Sequence, residues 1–203
     1  MPKVSSEQRQ ARRQQILDAA VRCFAREGFH RTTMPDIFAE SGLSSGAVYG
    51  HFAGKEELIE AIAEERRAGE ILLLKLAFEG QDDLRVAFSN FLRPLFQWLS
   101  EPSEQAKRRV GVQVWAEALR NERIRRLVLG ATEQRSIAVL AIEAARQRGD
   151  LPAQIDADAL ARVVLGTIQG FILQQAWEPD LDPAPFAAAI ELMLDGLFSR
   201  AAS

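Results

Sequence analysis

The sequence predicts an all-α protein, and three observations predict it. Apolar residues recur at three- and four-residue spacing along almost the whole of the 203-residue chain. Strand signals are nearly absent, because β-branched runs are few and no pair of alternating runs flanks a hairpin turn. Gly- and Pro-bearing breaks divide the chain into helix-length segments. The composition, 47% hydrophobic and 26% charged, is that of an ordinary soluble globular chain, long enough for one domain or a small one fused to a larger one. The N-terminal MPKVSSEQRQARRQQ has no apolar signal core. The longest apolar stretch, ILLLKLAF, is interrupted by Lys75 and too short to span a bilayer. The single cysteine, Cys23, excludes an intramolecular disulfide. A cytoplasmic protein without a membrane partner is expected.

The elements follow in order. A flexible arm is expected over residues 1–9, its first six residues outside any helix. The first helix runs from about Ser6 to Glu27, with Ile16, Ala20, Cys23 and Phe24 on one face and Gly28 ending it. Short helices follow over about 33–40 and 44–52. Lys55 opens a long helix to about Phe78, and EGQDD ends it. From Asp82 to about Leu99, Leu84, Phe88, Phe91, Leu92, Leu95, Phe96 and Leu99 form a strongly apolar face, with Pro94 expected to bend the helix. EPSEQ reads as a loop. Helices are predicted over 104–120 and 122–148, with Gly149 and Pro152 marking the next break. Two more, over 156–177 and 184–201, flank EPDLDPAP. The domain organisation that results is an arm, a domain over 10–70, and a larger helical domain over 71–203.

Charge is uneven. Residues 1–55 carry eight Lys/Arg against five Asp/Glu, +3; the remaining 17 against 23 give −6. A basic end on an acidic body suits contact with an anion such as nucleic acid, and suits a solvated helix face equally. Residues 33–52 bear on the choice. Thr33 can cap a helix, with Asp36 answering it three residues on, and Pro35 fits the first turn. Ser41-Gly42 makes a sharp turn, and Ser44 caps a further helix. That is the plan of a helix-turn-helix. With Ser45 as origin and about 100° per residue, Tyr49 falls at about 40°, Gly46 at about 100° and Gly50 at about 140°. Val48 and Phe52 fall on the opposite side, where Ile37 and Leu43 can join them in a small core. A helix face pared to Ser45, Gly46 and Gly50 beside Tyr49 lets a backbone approach the major groove of DNA. A frayed loop is the plainer alternative for the same glycines.

GFHRTTMPDIFAESGLSSGAVYGHFAGKEELIEAI resembles the N-terminal domain of the TetR family, the tetracycline-repressor-like transcriptional regulators. The pattern is carried by Gly28, Phe29, Thr32, Thr33, Ile37, Gly42, Leu43, Ser44, Gly46, Val48, Tyr49, Phe52, Lys55 and Glu56. It covers about residues 12–62. Phe38 and Ser41 stand where the family usually has alanine. The resemblance implies an N-terminal three-helix helix-turn-helix domain followed by a larger helical ligand-binding and dimerisation domain. It implies phosphate contacts from Tyr49 and His51. Helix N-termini at Thr33 and Lys55 also favour phosphate. Ser44, Ser45, Gly46, Ala47 and Gly50 then face the groove. Met34 is placed near a base, and Arg12 and Arg13 add longer-range contacts.

The same resemblance implies a homodimer on a palindromic operator, released by a small-molecule effector. Residues 156–177 are apolar almost all round, so Leu160, Val163, Val164, Gly166, Gly170 and Leu173 are expected at a four-helix dimer interface, with Ile190, Met193, Leu194 and Leu197 of the last helix. Phe88, Phe91, Phe96 and Trp115, with Asn90, Gln113, Glu117 and Gln169 near them, are the expected lining of a pocket for an amphipathic ligand. No cofactor is expected. The only histidines are His30 and His51 and the only cysteine is Cys23, so no His-based catalytic dyad or metal cluster fits the C-terminal domain; no phosphate loop or HExxH stands in the chain, and neither a catalytic nor a metal site is expected. The alternatives are a regulator without a ligand, or a helical adaptor, which leaves the glycine-bearing face unexplained.

Overall fold

The computed structural model describes residues 5–129 and 132–199, and every regular element among them is helical. The elements are α1 Ser6–Glu27, α2 Met34–Ser41, α3 Ser45–Tyr49, α4 Lys55–Phe78, α5 Leu84–Ser100, a 3-10 turn Pro102–Glu104, α6 Gln105–Ala118, α7 Glu122–Leu129, α8 Thr132–Arg148, α9 Ala157–Trp177 and α10 Pro183–Ser199. α1 is started by a reciprocal box, in which the Ser5 hydroxyl accepts from the Gln8 N–H while the Gln8 side chain accepts from the Ser5 N–H. Of the arm expected over 1–9, the residues from Ser6 onward are therefore helical.

Two other boundaries differ from the sequence reading. The third helix stops at Tyr49 rather than continuing to Phe52. The single helix expected over 122–148 is described as two, α7 and α8, with residues 130 and 131 outside the described residues. The end of the last predicted helix, residues 200 and 201, lies outside them too. EPSEQ, expected as a loop, holds the 3-10 turn. Pro94 lies inside α5 without ending it.

The chain forms two compact units. The first holds the residues up to Arg66 together with Arg109–Val128. Its core is built from Ile16, Ala20, Cys23 and Phe24 of α1, with Ile37, Val48, Phe52 and Leu58, all at most 4% exposed. The second holds Arg67–Arg108 and the chain from Leu129 onward. There the apolar face of α5 is buried along its length. The Phe96 ring packs edge-on against Phe171 of α9 at 4.8 Å, and Phe186 of α10 lies 4.7 Å from Phe171. Helices α4 and α6 each run through a unit boundary, at Arg66/Arg67 and Arg108/Arg109.

Candidate nucleic-acid interface

The helix-turn-helix is assembled from local hydrogen bonds. The Thr33 hydroxyl accepts from the Asp36 N–H at 3.4 Å, and the Asp36 carboxylate accepts from the Thr33 N–H at 2.7 Å. The Thr33 hydroxyl also donates to Asp36 at 2.7 Å, so α2 starts on a closed box despite the aspartate in place of the usual glutamate. These bonds from the Thr33 side chain and backbone hold the Asp36 carboxyl below its ordinary pKa. At the turn, Gly42 takes φ 68° and ψ 17°, the left-handed region. The Ser44 hydroxyl then accepts from the Ala47 N–H at 3.3 Å and starts α3.

Val48 and Phe52 point into the core, while Ser44, Ser45, Gly46, Tyr49 and Gly50 are exposed and Ala47 and His51 half-buried. The helix thus presents the face read from its phase. Gly46 has no internal cause to be glycine. Neither it nor Gly50 has positive φ. A Cβ at Gly46 meets nothing within 4 Å, whereas one at Gly50 would crowd the preceding backbone, 3.3 Å from the Gly46 carbonyl oxygen and 3.5 Å from that of Ala47.

The two departures at 38 and 41 become packing features. Phe38 meets Tyr49 edge-on, with ring centroids 5.4 Å apart, and so braces α3 against α2. The buried Ser41 hydroxyl donates to the Phe38 carbonyl at 3.1 Å, and the Gln15 amide donates to the Ser41 carbonyl at 2.8 Å. Arg22 and Arg26 of α1 both reach Glu40 of α2, at 2.6 and 3.4 Å, and hold its carboxyl below the ordinary range.

The other expected DNA-contact residues divide. Thr33 and Arg12 are exposed, and Met34 is half-buried. Arg13 lays its guanidinium over the Phe52 ring at 5.4 Å. Lys55 is at the N-terminus of α4, but its ammonium is turned inward, donating to the Phe29 carbonyl at 2.6 Å and the Thr32 carbonyl at 3.1 Å. Only the backbone N–H end of α4 is left there for an anion. The sequence reading missed the grip of Lys55 and that of Thr32, 1% exposed, whose hydroxyl donates to the Gly28 carbonyl at 2.8 Å.

The residues expected to line one pocket are distributed over both units. Gln113, Trp115 and Glu117 belong to the first. There the Gln113 amide is bonded to the backbone of Phe24 and Phe29, Trp115 carries the Arg66 guanidinium at 5.9 Å, and Glu117 pairs with Arg120. In the second unit Phe88 and Phe91 cluster with Phe78, Phe96 clusters with Phe171 and Phe186, Asn90 is exposed, and Gln169 is half-buried. A groove of about 420 Å³ in that unit is lined instead by Asp82, Asp83, Leu84, Arg85, Gly149, Asp150 and Phe198.

The residues expected at a dimer interface also divide. Val164, Ile190 and Leu194 are buried inside the protomer. Leu160, Gly170, Leu173 and Leu197 are half-buried. Val163, Gly166 and Met193 are exposed, alongside Trp177 and Leu192, which the sequence reading did not single out. Among the described residues no group of acidic, His or Cys side chains could hold a metal, and no helix is long and apolar enough to cross a membrane.

Comparison with known proteins places this geometry. Residues 16–62 match the family model for bacterial regulatory proteins of the tetR family, and residues 90–202, more than half of the chain, match the C-terminal model for BetI-type transcriptional repressors. The transcriptional regulator TtgR of Pseudomonas putida is 28% identical over 201 residues, covering 89% of this chain and 87% of that one. GusR of Salmonella enterica superposes with a TM-score of 0.76 at 28% identity, over 97% of this chain and 99% of its own. SmeT, solved as a triclosan complex, superposes at 0.72 with 27% identity, over 91% of each chain.

Proposed function

Because the chain belongs to the TetR family of transcriptional regulators and so is a DNA-binding regulator, we propose that it acts as a repressor, a homodimer on a palindromic operator that a small amphipathic ligand releases. The observation that carries the DNA-reading face is Gly46, exposed on α3 with no internal reason to be glycine, with the exposed Gly50 just past the end of the helix. On this reading α3 enters the major groove with Ser45 and Ala47 nearest the base edges. Tyr49, Thr33 and the half-exposed His51 hold phosphates, which sets the register without reading sequence. With so few side chains on the face, sequence discrimination draws on few direct contacts.

Dimerisation is supported by the apolar surface left open on α9 and α10. Val163 is 59% exposed, Trp177 70%, Leu192 71% and Met193 66%. Exposed apolar side chains of this size on both helices are what an association surface would cover. Repression is supported by the BetI-type match. Release by a ligand is supported by SmeT, whose structure holds triclosan.

Selection of bound duplexes from a random double-stranded pool, at stated salt, tests the reading. A palindromic consensus retained by a sedimenting dimer is expected. Adding triclosan, or choline as a cationic control, to that complex then tests release. Recovery of a non-palindromic consensus by a monomer is the result that overturns the dimer, and no enrichment at low salt overturns the interface.

A further inference from the structure

We propose that Phe38 is a positioning residue for operator binding: its ring, on α2, holds the Tyr49 ring of α3 in one orientation, so that the phenol hydroxyl meets a DNA phosphate already placed. The inference rests on the reading of Tyr49 as a phosphate contact.

Tyr49 is the last residue of a helix of only five, and its side chain is 52% exposed. Among the described residues its hydroxyl makes no hydrogen bond within the protein. The hydroxyl oxygen lies on the long axis of the ring, so the χ1 torsion decides where it stands, and an exposed side chain is free to sample the staggered χ1 wells. Freezing one well on the DNA weakens binding unless the protein has already selected it. Phe38 makes that selection. Its ring meets the Tyr49 ring with 5.4 Å between centroids and 72° between planes, the edge-to-face arrangement that aromatic pairs prefer. Any other χ1 well swings the tyrosine ring away from this contact by about 120°.

The brace is itself firmly held. The Ser41 hydroxyl donates to the Phe38 carbonyl at 3.1 Å, and Gln15 of α1 donates to the Ser41 carbonyl at 2.8 Å. Arg22 and Arg26 of α1 grip Glu40, and Ile37, next to Phe38, is fully buried. Helix α2 is thus fastened to the 22-residue α1, whereas α3 buries only Val48. Val48 fixes the inner side of α3, and the ring contact carries the rigidity of α2 to its exposed side. All of these residues lie in the first compact unit.

Two measurements on the full-length protein test the proposal. Tyr49 is the single tyrosine of the chain, so fluorotyrosine incorporation gives one fluorine resonance that reports this ring alone. Phe38→Ala should move that resonance towards its position in the unfolded protein. A double-mutant cycle then reads binding to the selected duplex and to a scrambled one, with thermal unfolding measured in parallel. Phe38→Ala should weaken binding about two- to threefold on both duplexes, and by no more than Tyr49→Phe does. In the Tyr49→Phe background, Phe38→Ala should cost nothing further, because no hydroxyl is left to place. Phe38→Leu, which keeps apolar bulk on α2 but not the ring, should show the same non-additivity and serves where the alanine variant unfolds. A Phe38 loss of the same factor with and without the hydroxyl would assign the residue to the packing of α2 and overturn the proposal, as would an unmoved fluorine resonance. If Tyr49→Phe alone binds like wild type, the phosphate reading of Tyr49 fails first, and the role of Phe38 with it.

Discussion

At Gly42 the backbone lies in the left-handed region, φ 68° and ψ 17°, and any side chain would strain the turn. Gly46, four residues on, is a glycine for another reason. Its φ is not positive, and a Cβ there would meet nothing. Glycine in a helix costs about 1 kcal/mol relative to alanine, so the residue weakens a helix of only five residues without internal compensation. The expected consequence separates folding from binding. Gly46→Glu should unfold at the wild-type temperature or above it, because glutamate is the better helix former and an acid is favoured in the first turn. Its operator affinity should collapse, since bulk and negative charge then face the groove. Thermal unfolding and a binding titration together check this, and a mutant that binds like wild type would remove α3 from the groove. Tyr49→Phe is the complementary case. The ring keeps its contact with Phe38, 5.4 Å between centroids, and only the hydroxyl is lost. Binding should weaken by about three- to tenfold, equally on specific and scrambled duplexes, since a phosphate contact carries no sequence information.

Between elements, an ion pair joins α5 to α10 in the second unit. Arg93 donates to both Glu191 oxygens, at 2.8 and 3.0 Å, and the Ser89 hydroxyl adds a bond at 3.1 Å. The bond from Arg93, followed by that from Ser89, holds the Glu191 carboxyl below its ordinary pKa against the opposing effect of burial. A depressed folded-state pKa stabilises the protein at pH above the unfolded value, about 4.3 for glutamate, and that contribution is lost as pH falls through the lower folded value. Arg93 is 70% exposed, so screening keeps the pair to about 1 kcal/mol or less. Glu191→Gln should therefore be slightly less stable than wild type at pH 7, with the difference vanishing in acid below the folded pKa. Denaturant midpoints across pH measure it, and a difference that persists in acid would assign the loss to packing instead. The elements themselves were largely legible in the sequence, because what starts and stops them is local: Ser5 with Gln8, Thr33 with Asp36, and Gly42 all act within four residues. What ties them together was not. Gln113 was read as a pocket residue because its spacing puts it beside apolar residues on α6, and nothing within a turn of it reveals partners at Phe24 and Phe29. Lys55 was read as a helix-terminal cation, and its true acceptors are two carbonyls more than twenty residues earlier.

For the whole molecule, the decisive question is which apolar residues of α9 and α10 face inward. A helix that is apolar nearly all round has no polar face to fix its phase, so periodicity alone set Val164, Ile190 and Leu194 beside Val163 and Met193 as one interface. Burial separates them, with the first three at 5–7% exposure and the latter two at 59% and 66%. This separation makes the dimer testable with paired substitutions on one helix. Leu192 is 71% exposed, and Leu194 two residues on is 7% exposed. Placing a charge at Leu192 leaves the protomer interior intact and desolvates the carboxylate only where a second copy covers it. Leu192→Glu should thus keep the wild-type circular dichroism and unfolding temperature to within a few degrees while sedimenting as a monomer. It should bind a single half-site with the weak affinity of one reading head and lose the gain that two linked heads provide on the palindrome. Leu194→Glu, which buries the same charge in the protomer itself, should be destabilised whatever its association state. If Leu192→Glu remains a dimer with full palindrome affinity, the exposed faces of α9 and α10 are not where two copies meet.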